Sequence, residues 1–304
     1  MADKNTYAEL SDGTKMPLMG YGTFLSTEED KLIENIVHAV VDVGYRHIDT
    51  ASLYMNEEII GKALAQCFEK GINREDLFIT TKVWRTDFGD VEGSIKGSLE
   101  KLGLEYVDLL LIHWTVTDVD WETYEIKGPS MYETWKQFEK VKEDGLTKSI
   151  GVSNANNMIF VDICAGATHR PVVNQIETNP FFAQQKVVDF QGKFGTKITA
   201  YAPIGAAGFT ASDLLKDETL AEIATKHNAT VAQVALAWNM KRGVIVIPKS
   251  MTKERIQENF DALNVDLDEE DMEKINALDK NQRCFNPEDW DYPQYGWQKN
   301  PVWD

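Results

Sequence analysis

Eight short apolar segments alternate with amphipathic segments along this chain, and the alternation leaves few folds open to it. Residues 107–112 (VDLLLI) are apolar almost throughout, as in parallel strands that are covered on both faces. Eight strand–helix units in succession predict an α/β fold of the (β/α)8 TIM-barrel type, whose usual size includes 304 residues. The predicted strands begin near Leu18, Tyr45, Leu77, Tyr106, Thr147, Val172, Ile198 and Val244.

Start and stop signals mark the helices between these strands. Ser26, with Glu29 three residues later, is a capping-box pattern that predicts the start of the first helix, and Gly44 is expected to end it. The second helix should run from about Glu57 to Gly71. Further helices are predicted to start near Val91, Met131, Asn156, Gln184, Val231 and Lys253.

Several additions to a plain barrel are visible in the sequence. Residues 7–16 carry a turn at Asp12-Gly13 and predict an N-terminal hairpin that closes the bottom of the barrel. Insertions after the fourth and seventh strands would lie at the C-terminal face, where barrel active sites are found. Because no linker divides the chain, residues 1–304 are predicted to form one domain. The insertions, extra helices and aromatic C-terminal tail cover residues 115–129, 205–208, 218–227, 268–278 and 281–304.

The charge of the chain limits its partners. Lysine and arginine number 31 and aspartate and glutamate number 49, which gives a formal net charge of −18. A field of this sign repels nucleic acid and anionic membranes, so neither is expected as a partner. The sequence opens with polar residues rather than a signal-peptide core, and it contains no run of 18 apolar residues, so no membrane-spanning helix is expected.

The cysteines indicate the compartment rather than a site. Cys67, Cys164 and Cys284 are too few and too scattered for a disulfide framework. Their spacing does not suit a metal site either, so no metal is expected. Free thiols fit a reducing environment, and the sequence therefore predicts a cytoplasmic protein.

Polar, titratable side chains stand where three neighbouring predicted strands end. Asp49 closes the second strand with Tyr54 in the following loop, Lys82 closes the third strand, and His113 closes the fourth. A charged residue at the end of a buried strand is costly unless it is paired. Four such residues in one sector of the C-terminal face therefore predict a catalytic site rather than a structural network.

These four side chains suit the reduction of a carbonyl group. Tyrosine has an ordinary pKa of about 10, and a nearby lysine ammonium favours the phenolate and lowers that pKa. A carboxylate holds the lysine in place and balances its charge, while a histidine can orient the carbonyl oxygen through a hydrogen bond. Such a site can protonate an oxygen on which negative charge develops. The hydride must come from a cofactor, because no side chain supplies one.

The chain resembles the aldo-keto reductases, with a pattern most similar to the aldose and xylose reductases, from Gly20 to Asn259. The resemblance rests on residues 44–61, on Gly151-Val152-Ser153-Asn154, and on Ile247-Pro248-Lys249-Ser250. It implies NADPH-dependent reduction of aldehydes or open-chain aldoses, with Tyr54 as the general acid. The catalytic tetrad of that family falls on Asp49, Tyr54, Lys82 and His113.

The resemblance also assigns cofactor contacts near the nicotinamide. Ser153, Asn154 and Gln175 match residues that hold the nicotinamide carboxamide. Tyr201 matches the aromatic residue that stacks on the nicotinamide ring, and Thr23 matches a residue near its ribose.

The stretch after the eighth strand implies a preference for NADPH over NADH. A lysine point charge, an arginine fork and the free N–H groups of a helix start suit a phosphate monoester, here the 2′-phosphate. Some xylose-reducing relatives accept both cofactors, so use of NADH stays open. The residues that match this part of the family's motif are Lys249, Ser250, Thr252, Arg255, Glu258 and Asn259.

Aromatic residues are expected to form an apolar substrate pocket over the nicotinamide. The sequence departs from aldose reductases here, because a phenylalanine stands in place of the usual tryptophan at position 24. Ala202 stands where serine commonly follows the stacking tyrosine, and the tail also differs, so the physiological substrate cannot be transferred. The predicted pocket residues are Phe24, Trp84, Trp114, Trp121 and Trp297.

Two other functions stay open at this point. A barrel of this type could bind cofactor as a sensor without significant turnover, although no long N-terminal extension typical of such a role is present. A barrel glycosidase would need two facing carboxylates, for which Asp49 and Glu177 are the candidates, but Lys82 explains Asp49 better. A small-molecule carbonyl substrate is the expected partner, and a monomer or weak dimer is the expected state.

Overall fold

A computed structural model describes residues 6–120, 123–206 and 212–286 of the chain. The strands are β1 (Tyr7–Glu9), β2 (Lys15–Pro17), β3 (Tyr21–Gly22), β4 (His47–Asp49), β5 (Phe78–Val83), β6 (Val107–Ile112), β7 (Val119–Asp120), β8 (Glu125–Ile126), β9 (Thr147–Ser153), β10 (Val173–Glu177), β11 (Lys197–Tyr201) and β12 (Ile245–Val246). The α-helices are α1 (Glu29–Val37), α2 (Glu57–Glu69), α3 (Val91–Leu102), α4 (Met131–Glu143), α5 (Asn157–Gly166), α6 (Gln185–Gly192), α7 (Glu218–Lys226), α8 (Val231–Lys241), α9 (Lys253–Asp261) and α10 (Glu269–Asn276).

The eight predicted barrel strands form one parallel sheet in the order β12-β11-β10-β9-β6-β5-β4-β3. A parallel bridge between Met19 and Val246 joins the two ends of this sheet. At this seam the Gly20 N–H donates to the Val246 carbonyl at 2.8 Å, and the Val246 N–H donates to the Leu18 carbonyl at 2.8 Å. The predicted (β/α)8 barrel is therefore confirmed, although its first ladder begins at Tyr21 rather than near Leu18.

The first helix starts later than its sequence pattern suggested. The Ser26–Glu29 capping box is not formed: α1 begins at Glu29, and the buried Ser26 hydroxyl has no hydrogen-bond partner among the described residues. The Asn56 amide donates to the Ser26 carbonyl at 3.1 Å, and this bond holds Ser26 in the loop before the helix. Gly44 ends the π-helical continuation of α1 with φ = 108°, as predicted for a glycine in the left-handed region.

The N-terminal hairpin closes the bottom of the barrel, as expected. β1 and β2 pair in antiparallel register, with Ala8 opposite Met16. Leu10 packs with these two residues against Phe78 and Ile245, which lie at or near the N-terminal ends of their barrel strands. This apolar plug leaves the opposite, C-terminal end as the open face of the barrel.

Close packing between barrel strands gives a first testable consequence. A Cβ atom on Gly151 in β9 would lie 2.5 Å from the Val173 carbonyl oxygen and 2.8 Å from a Leu111 methyl carbon. We expect Gly151→Ala to lower the free energy of unfolding by about 1–3 kcal/mol, as overpacking does. In α3, by contrast, a Cβ on Gly97 would meet nothing within 4 Å. Gly97→Ala should stabilise by about 0.5–1 kcal/mol. Urea unfolding of both variants checks this pair, and equal midpoints would contradict it.

Candidate active site

The four predicted catalytic side chains converge at the C-terminal mouth of the barrel. Asp49 is the last residue of β4, Lys82 lies one residue before the end of β5, and His113 directly follows β6. Tyr54 ends a short 3₁₀ turn over Ser52–Tyr54. Neighbouring parallel strands bring these positions together because all of them end at the same edge of the barrel.

Lys82 is the centre of this group. Its Nζ donates to Asp49 Oδ1 at 2.6 Å, to the Thr50 carbonyl at 2.7 Å and to the Tyr54 hydroxyl at 3.4 Å. The side chains of Lys82 and Asp49 are 0% and 2% exposed, so their charges are compensated within the protein rather than by water. Three partners for the three ammonium protons fix the position of Nζ beside the tyrosine.

Burial and pairing act in opposite directions on this ion pair. Burial raises the pKa of the Asp49 carboxyl, against the effects of the Lys82 ammonium and of the Gln175 amide, which donates to Oδ2 at 2.7 Å. Burial likewise lowers the pKa of Lys82, and the Asp49 carboxylate counteracts it. Each charge therefore depends on the other to remain in the barrel.

The state of Tyr54 differs from the sequence-based expectation. Burial, followed by the nearby Asp49 carboxylate, raises the pKa of the Tyr54 hydroxyl well above its ordinary value. The Lys82 ammonium, on which the expectation rested, favours the phenolate, whereas burial of the phenol favours its neutral form. The hydroxyl is consequently protonated at neutral pH, which is the form that a general acid needs.

His113 stands beside the tyrosine as a neutral imidazole. Its ring centre lies 5.5 Å from that of Tyr54 and 5.2 Å from that of Trp84. Burial, with a smaller effect of the Lys82 charge, lowers the pKa of His113 well below its ordinary value. The buried Nδ1 atom has no hydrogen-bond partner within the described ranges. A neutral imidazole donates from one nitrogen only, which suits orientation of a carbonyl oxygen.

Asn154 joins the residues predicted to hold the nicotinamide. It has φ = 60°, and its amide nitrogen donates to the His113 carbonyl at 3.0 Å and to Ser153 Oγ at 3.1 Å. Its amide oxygen accepts from the Tyr201 hydroxyl at 2.9 Å. The Ser153 hydroxyl in turn donates to the Gln175 carbonyl at 2.7 Å. The structure thus brings all four residues together: Ser153 and Tyr201 end β9 and β11, Asn154 follows β9, and Gln175 is the middle residue of β10.

A second polar group lies beyond β12, at the start of α9. Lys249 and Arg255 are exposed, and neither forms an ion pair with any described residue. Thr252 is the N-cap of α9 but makes no side-chain cap bond, and Ser250 Oγ accepts its backbone N–H at 3.2 Å. Two free cations beside an uncapped helix start are suited to an anion.

Asn259 and Glu258, the last two predicted cofactor residues, differ in whether their side chains are already hydrogen-bonded within the protein. The Asn259 side chain is 5% exposed and makes no hydrogen bond to the described part of the chain, so its amide can serve a ligand. Glu258 instead accepts a hydrogen bond from the Thr230 hydroxyl at 2.7 Å, which ties it to the start of α8. The prediction for Glu258 is therefore less well supported by its surroundings than that for Asn259.

The model of the Aldo/keto reductase family matches residues 18–280 of the chain. The chain belongs to this family. Aldo-keto reductases are NADPH-dependent oxidoreductases that act on small carbonyl compounds, so the enzyme class and cofactor predicted from the sequence are confirmed.

Individual relatives match this aldo-keto reductase along nearly its whole length. Aldose reductase B of Dictyostelium discoideum is 40% identical over 302 residues, covering 93% of this chain and 96% of the relative. Glyoxal reductase of Bacillus subtilis (strain 168) is 39% identical, covering 92% and 96%. The crystal structure of an aldo-keto reductase complexed with NADPH superposes with a TM-score of 0.89 at 35% identity, covering 99% of this chain and 96% of the other.

Aromatic side chains border the tetrad of this aldo-keto reductase. Trp84 and Trp114 are 5% and 4% exposed and form a small cluster with Leu53. The Phe24 ring lies 5.1 Å from that of Tyr54 on the other side. The structure therefore places three predicted pocket residues at the mouth. The other two, Trp121 and Trp297, lie outside the described residues.

The sequence did not reveal the role of Asn56, which links the loop after β3 to the loop after β4. Asn56 is fully buried, and its amide nitrogen donates to the Thr23 carbonyl at 2.9 Å while its oxygen accepts from the Thr50 hydroxyl at 3.0 Å. The Thr23 hydroxyl donates to the Asp49 carbonyl at 2.9 Å, which continues this brace to the end of β4. Asn56 is the N-cap residue of α2, but its side chain makes no cap bond and serves these loop contacts instead.

Neither a membrane span nor a metal cluster occurs among the described residues. None of the described helices is long and apolar enough to cross a membrane. No group of three or more histidine, cysteine, aspartate or glutamate side chains in these ranges could hold a metal ion.

Proposed function

We propose that this aldo-keto reductase reduces small aldehydes or open-chain aldoses to alcohols at the tetrad of Asp49, Tyr54, Lys82 and His113. The observation that carries the proposal is the continuous contact from Asp49 through Lys82 Nζ to the Tyr54 hydroxyl, with distances of 2.6 Å and 3.4 Å. Bound NADPH supplies the hydride for the carbonyl carbon. The similarity to proteins named aldose reductase and glyoxal reductase supports this substrate class.

Each member of the tetrad has one task in this reaction. The neutral His113 imidazole orients the carbonyl oxygen towards the phenol. Tyr54 then donates its proton to that oxygen as negative charge develops there. Lys82 stabilises the phenolate that remains, and Asp49 keeps Lys82 charged and in place. The phenol recovers its proton from water once the alcohol has left, so one aldehyde, one hydride and one proton give one alcohol.

The surroundings of the site fit the dinucleotide. Ser153, Asn154 and Gln175 would hold the nicotinamide carboxamide, with Tyr201 against the ring and Thr23 near the ribose. The unpaired cations at the start of α9 would hold the 2′-phosphate, with Ser250 and Thr252 beside them. Asn259 and Glu258 would complete the adenosine end. This fit rests on two observations: the free charges of Lys249 and Arg255, and the uncapped helix start between them.

Removal of the Arg255 guanidinium tests the cofactor assignment. A charge-assisted hydrogen bond contributes about 1.5–3 kcal/mol, so Arg255→Ala should weaken NADPH binding by at least ~10-fold. NADH, which has no 2′-phosphate, should bind nearly as before. Quenching of protein fluorescence measures both dissociation constants. Arg170→Ala, at another exposed arginine, is the control and should change neither. Equal losses for both cofactors would show that Arg255 does not read the phosphate.

The two competing functions predict different outcomes in a simple assay. A cofactor sensor would bind NADPH without consuming it in the presence of an aldehyde. A glycosidase would need free carboxyl groups, yet Asp49 is bonded to Lys82 and Gln175, and Glu177 accepts two backbone N–H groups. Initial rates with NADPH and NADH on glyceraldehyde, xylose and an aromatic aldehyde distinguish these functions and rank the substrates.

The remaining properties are proposals of the same kind. Residues 1–304 act as one domain, in the cytoplasm, as a monomer or weak dimer. No disulfide joins Cys67, Cys164 or Cys284 to another described residue, and this supports a reducing compartment. Light scattering coupled to size exclusion, over a range of protein concentrations, measures the oligomeric state directly.

A further inference from the structure

A buried carboxylate outside the tetrad holds the last described segment of the chain against the mouth of the barrel. Glu177 ends β10 and is 1% exposed. Its Oε1 accepts the Cys284 N–H at 2.6 Å, and its Oε2 accepts the Phe285 N–H at 2.9 Å. Since two consecutive backbone amides occupy both oxygens, the carboxylate fixes the path of the main chain at this point.

We call these two hydrogen bonds to Glu177 the anchor, and the ring of Phe285 connects it to the active site. Its ring is 8% exposed and lies 6.1 Å from the Phe24 ring and 5.8 Å from the Tyr201 ring. Both contacts are close to edge-to-face, at 71° and 78°. Phe24 itself packs against Tyr54. The Phe285 ring therefore lies between the loop that follows β3 and the end of β11.

The chemistry of the anchor is specific to a carboxylate. Burial raises the pKa of Glu177, while the N–H groups of Cys284 and Phe285 act in the opposite direction. A glutamine of the same shape would retain one acceptor oxygen but would turn an NH₂ group towards the second N–H. Two donors facing each other repel, so this exchange loosens the segment with little change in volume.

We propose that Glu177 is a positioning residue for substrate binding: by holding the backbone at Cys284 and Phe285, it fixes the Phe285 ring as a wall of the carbonyl pocket. The inference rests on the proposed reductase function, because it assigns the space beside Phe24, Tyr54 and Tyr201 to the substrate. It predicts a residue that affects substrate affinity without contacting the substrate.

Steady-state kinetics of Glu177→Gln test the proposal. Loss of one hydrogen bond in the anchor should raise the KM for an aromatic aldehyde by about 3- to 10-fold and change kcat by no more than about 2-fold. Phe285→Ala should raise KM similarly. The double variant should be no worse than Phe285→Ala alone, because both changes act through one ring.

Glu139→Gln is a matched control. Glu139 in α4 is 4% exposed, and its Oε1 accepts the N–H groups of Thr168 and His169 at 2.5 Å and 2.7 Å, on an outer helix. Because both N–H groups share Oε1, a glutamine can keep these bonds and loses chiefly the ion pair between Oε2 and Lys136, so Glu139→Gln should leave KM unchanged. A KM for Glu177→Gln that equals the wild-type value, or a KM that rises equally in both variants, would overturn the proposal.

A thiol reaction gives a readout that requires no turnover. Cys67 and Cys164 are buried, whereas Cys284 lies half-buried within the anchored segment. The Glu177 carboxylate also lies beside the Cys284 thiol, so the rates are compared at a pH at which this thiol is ionised in every variant. Under that condition Glu177→Gln should speed modification of Cys284 by a disulfide reagent, as followed by peptide mass spectrometry, and Glu139→Gln should not. Unchanged modification in Glu177→Gln contradicts the anchor.

If the wild type reduces no carbonyl compound, the reductase function fails, and faster modification still supports the anchor. Should Glu177→Gln not fold, an unchanged KM in Phe285→Ala would overturn the proposal.

Discussion

Tyr54→Phe should fold normally and lose at least ~10²-fold in kcat, the range expected when a general acid is removed. The variant keeps the aromatic ring that packs against Phe24 and His113 and loses only the hydroxyl that faces Lys82. Dissociation constants for NADPH should stay within a few-fold of wild type, because the hydroxyl serves the substrate. Single-turnover absorbance at 340 nm and fluorescence titration measure the two quantities.

Tyr132→Phe is the control for this variant. Tyr132 is a tyrosine of α4 that is 49% exposed, so loss of its hydroxyl should change neither kcat nor NADPH binding. A Tyr54→Phe enzyme with more than half of the wild-type kcat would show that another group donates the proton.

Lys82→Met should combine loss of activity with loss of stability. The Asp49 carboxylate would remain buried with only the Gln175 amide at Oδ2, and an unpartnered buried charge costs ~3–5 kcal/mol. The folded-state pKa of Asp49, already raised by burial, should rise further. Stability linked to such a group is fully present below its unfolded pKa and is lost as the pH rises through the folded value. The deficit should therefore be larger at pH 8 than at pH 4.

A second substitution separates the two effects of Lys82→Met. Asp49→Asn in the same chain removes the stranded charge, so the double variant should recover stability and remain inactive. Lys241→Met breaks the exposed ion pair with Asp266 and should cost at most about 1 kcal/mol. Denaturant unfolding at several pH values provides the comparison. A fully active Lys82→Met enzyme would refute the role of Lys82 in the reaction.

The barrel could be predicted from the sequence because its signals are local and repeated. Each apolar strand and each amphipathic helix is specified by its own residues, and eight such units have few ways to pack. Errors occurred where a distant contact overrides a local signal. Ser26 has the pattern of a helix cap, but the amide of Asn56, thirty residues later, holds its carbonyl in a loop. Such a bond has no signature in the local sequence.

In the candidate site, likewise, positions could be predicted from the sequence but charge states and distant contacts could not. Polar residues at strand ends predict which four side chains come together at the mouth, because the position of a residue on a barrel strand fixes its place in space. Their electrostatic state does not follow from adjacency alone. The Lys82 ammonium suggested a lowered pKa for Tyr54, but burial, which depends on the whole fold, and then the Asp49 carboxylate raise that pKa. The anchor at Glu177 was equally hidden, since its partners are backbone groups more than a hundred residues away.

The seam of the barrel has a thermodynamic consequence. β3 and β12 have two residues each, and closure depends on a few bonds to the stretch that leads into α9. The Gly22 N–H donates to the Pro248 carbonyl at 3.1 Å, and the Tyr21 hydroxyl donates to the Ser250 carbonyl at 2.6 Å. The proposed phosphate site at Lys249 lies between these two bonds. A ligand that binds there more tightly in the closed ring than in an open one adds this difference in binding free energy to the stability of closure. In that case the cofactor stabilises the closed barrel in addition to supplying the hydride.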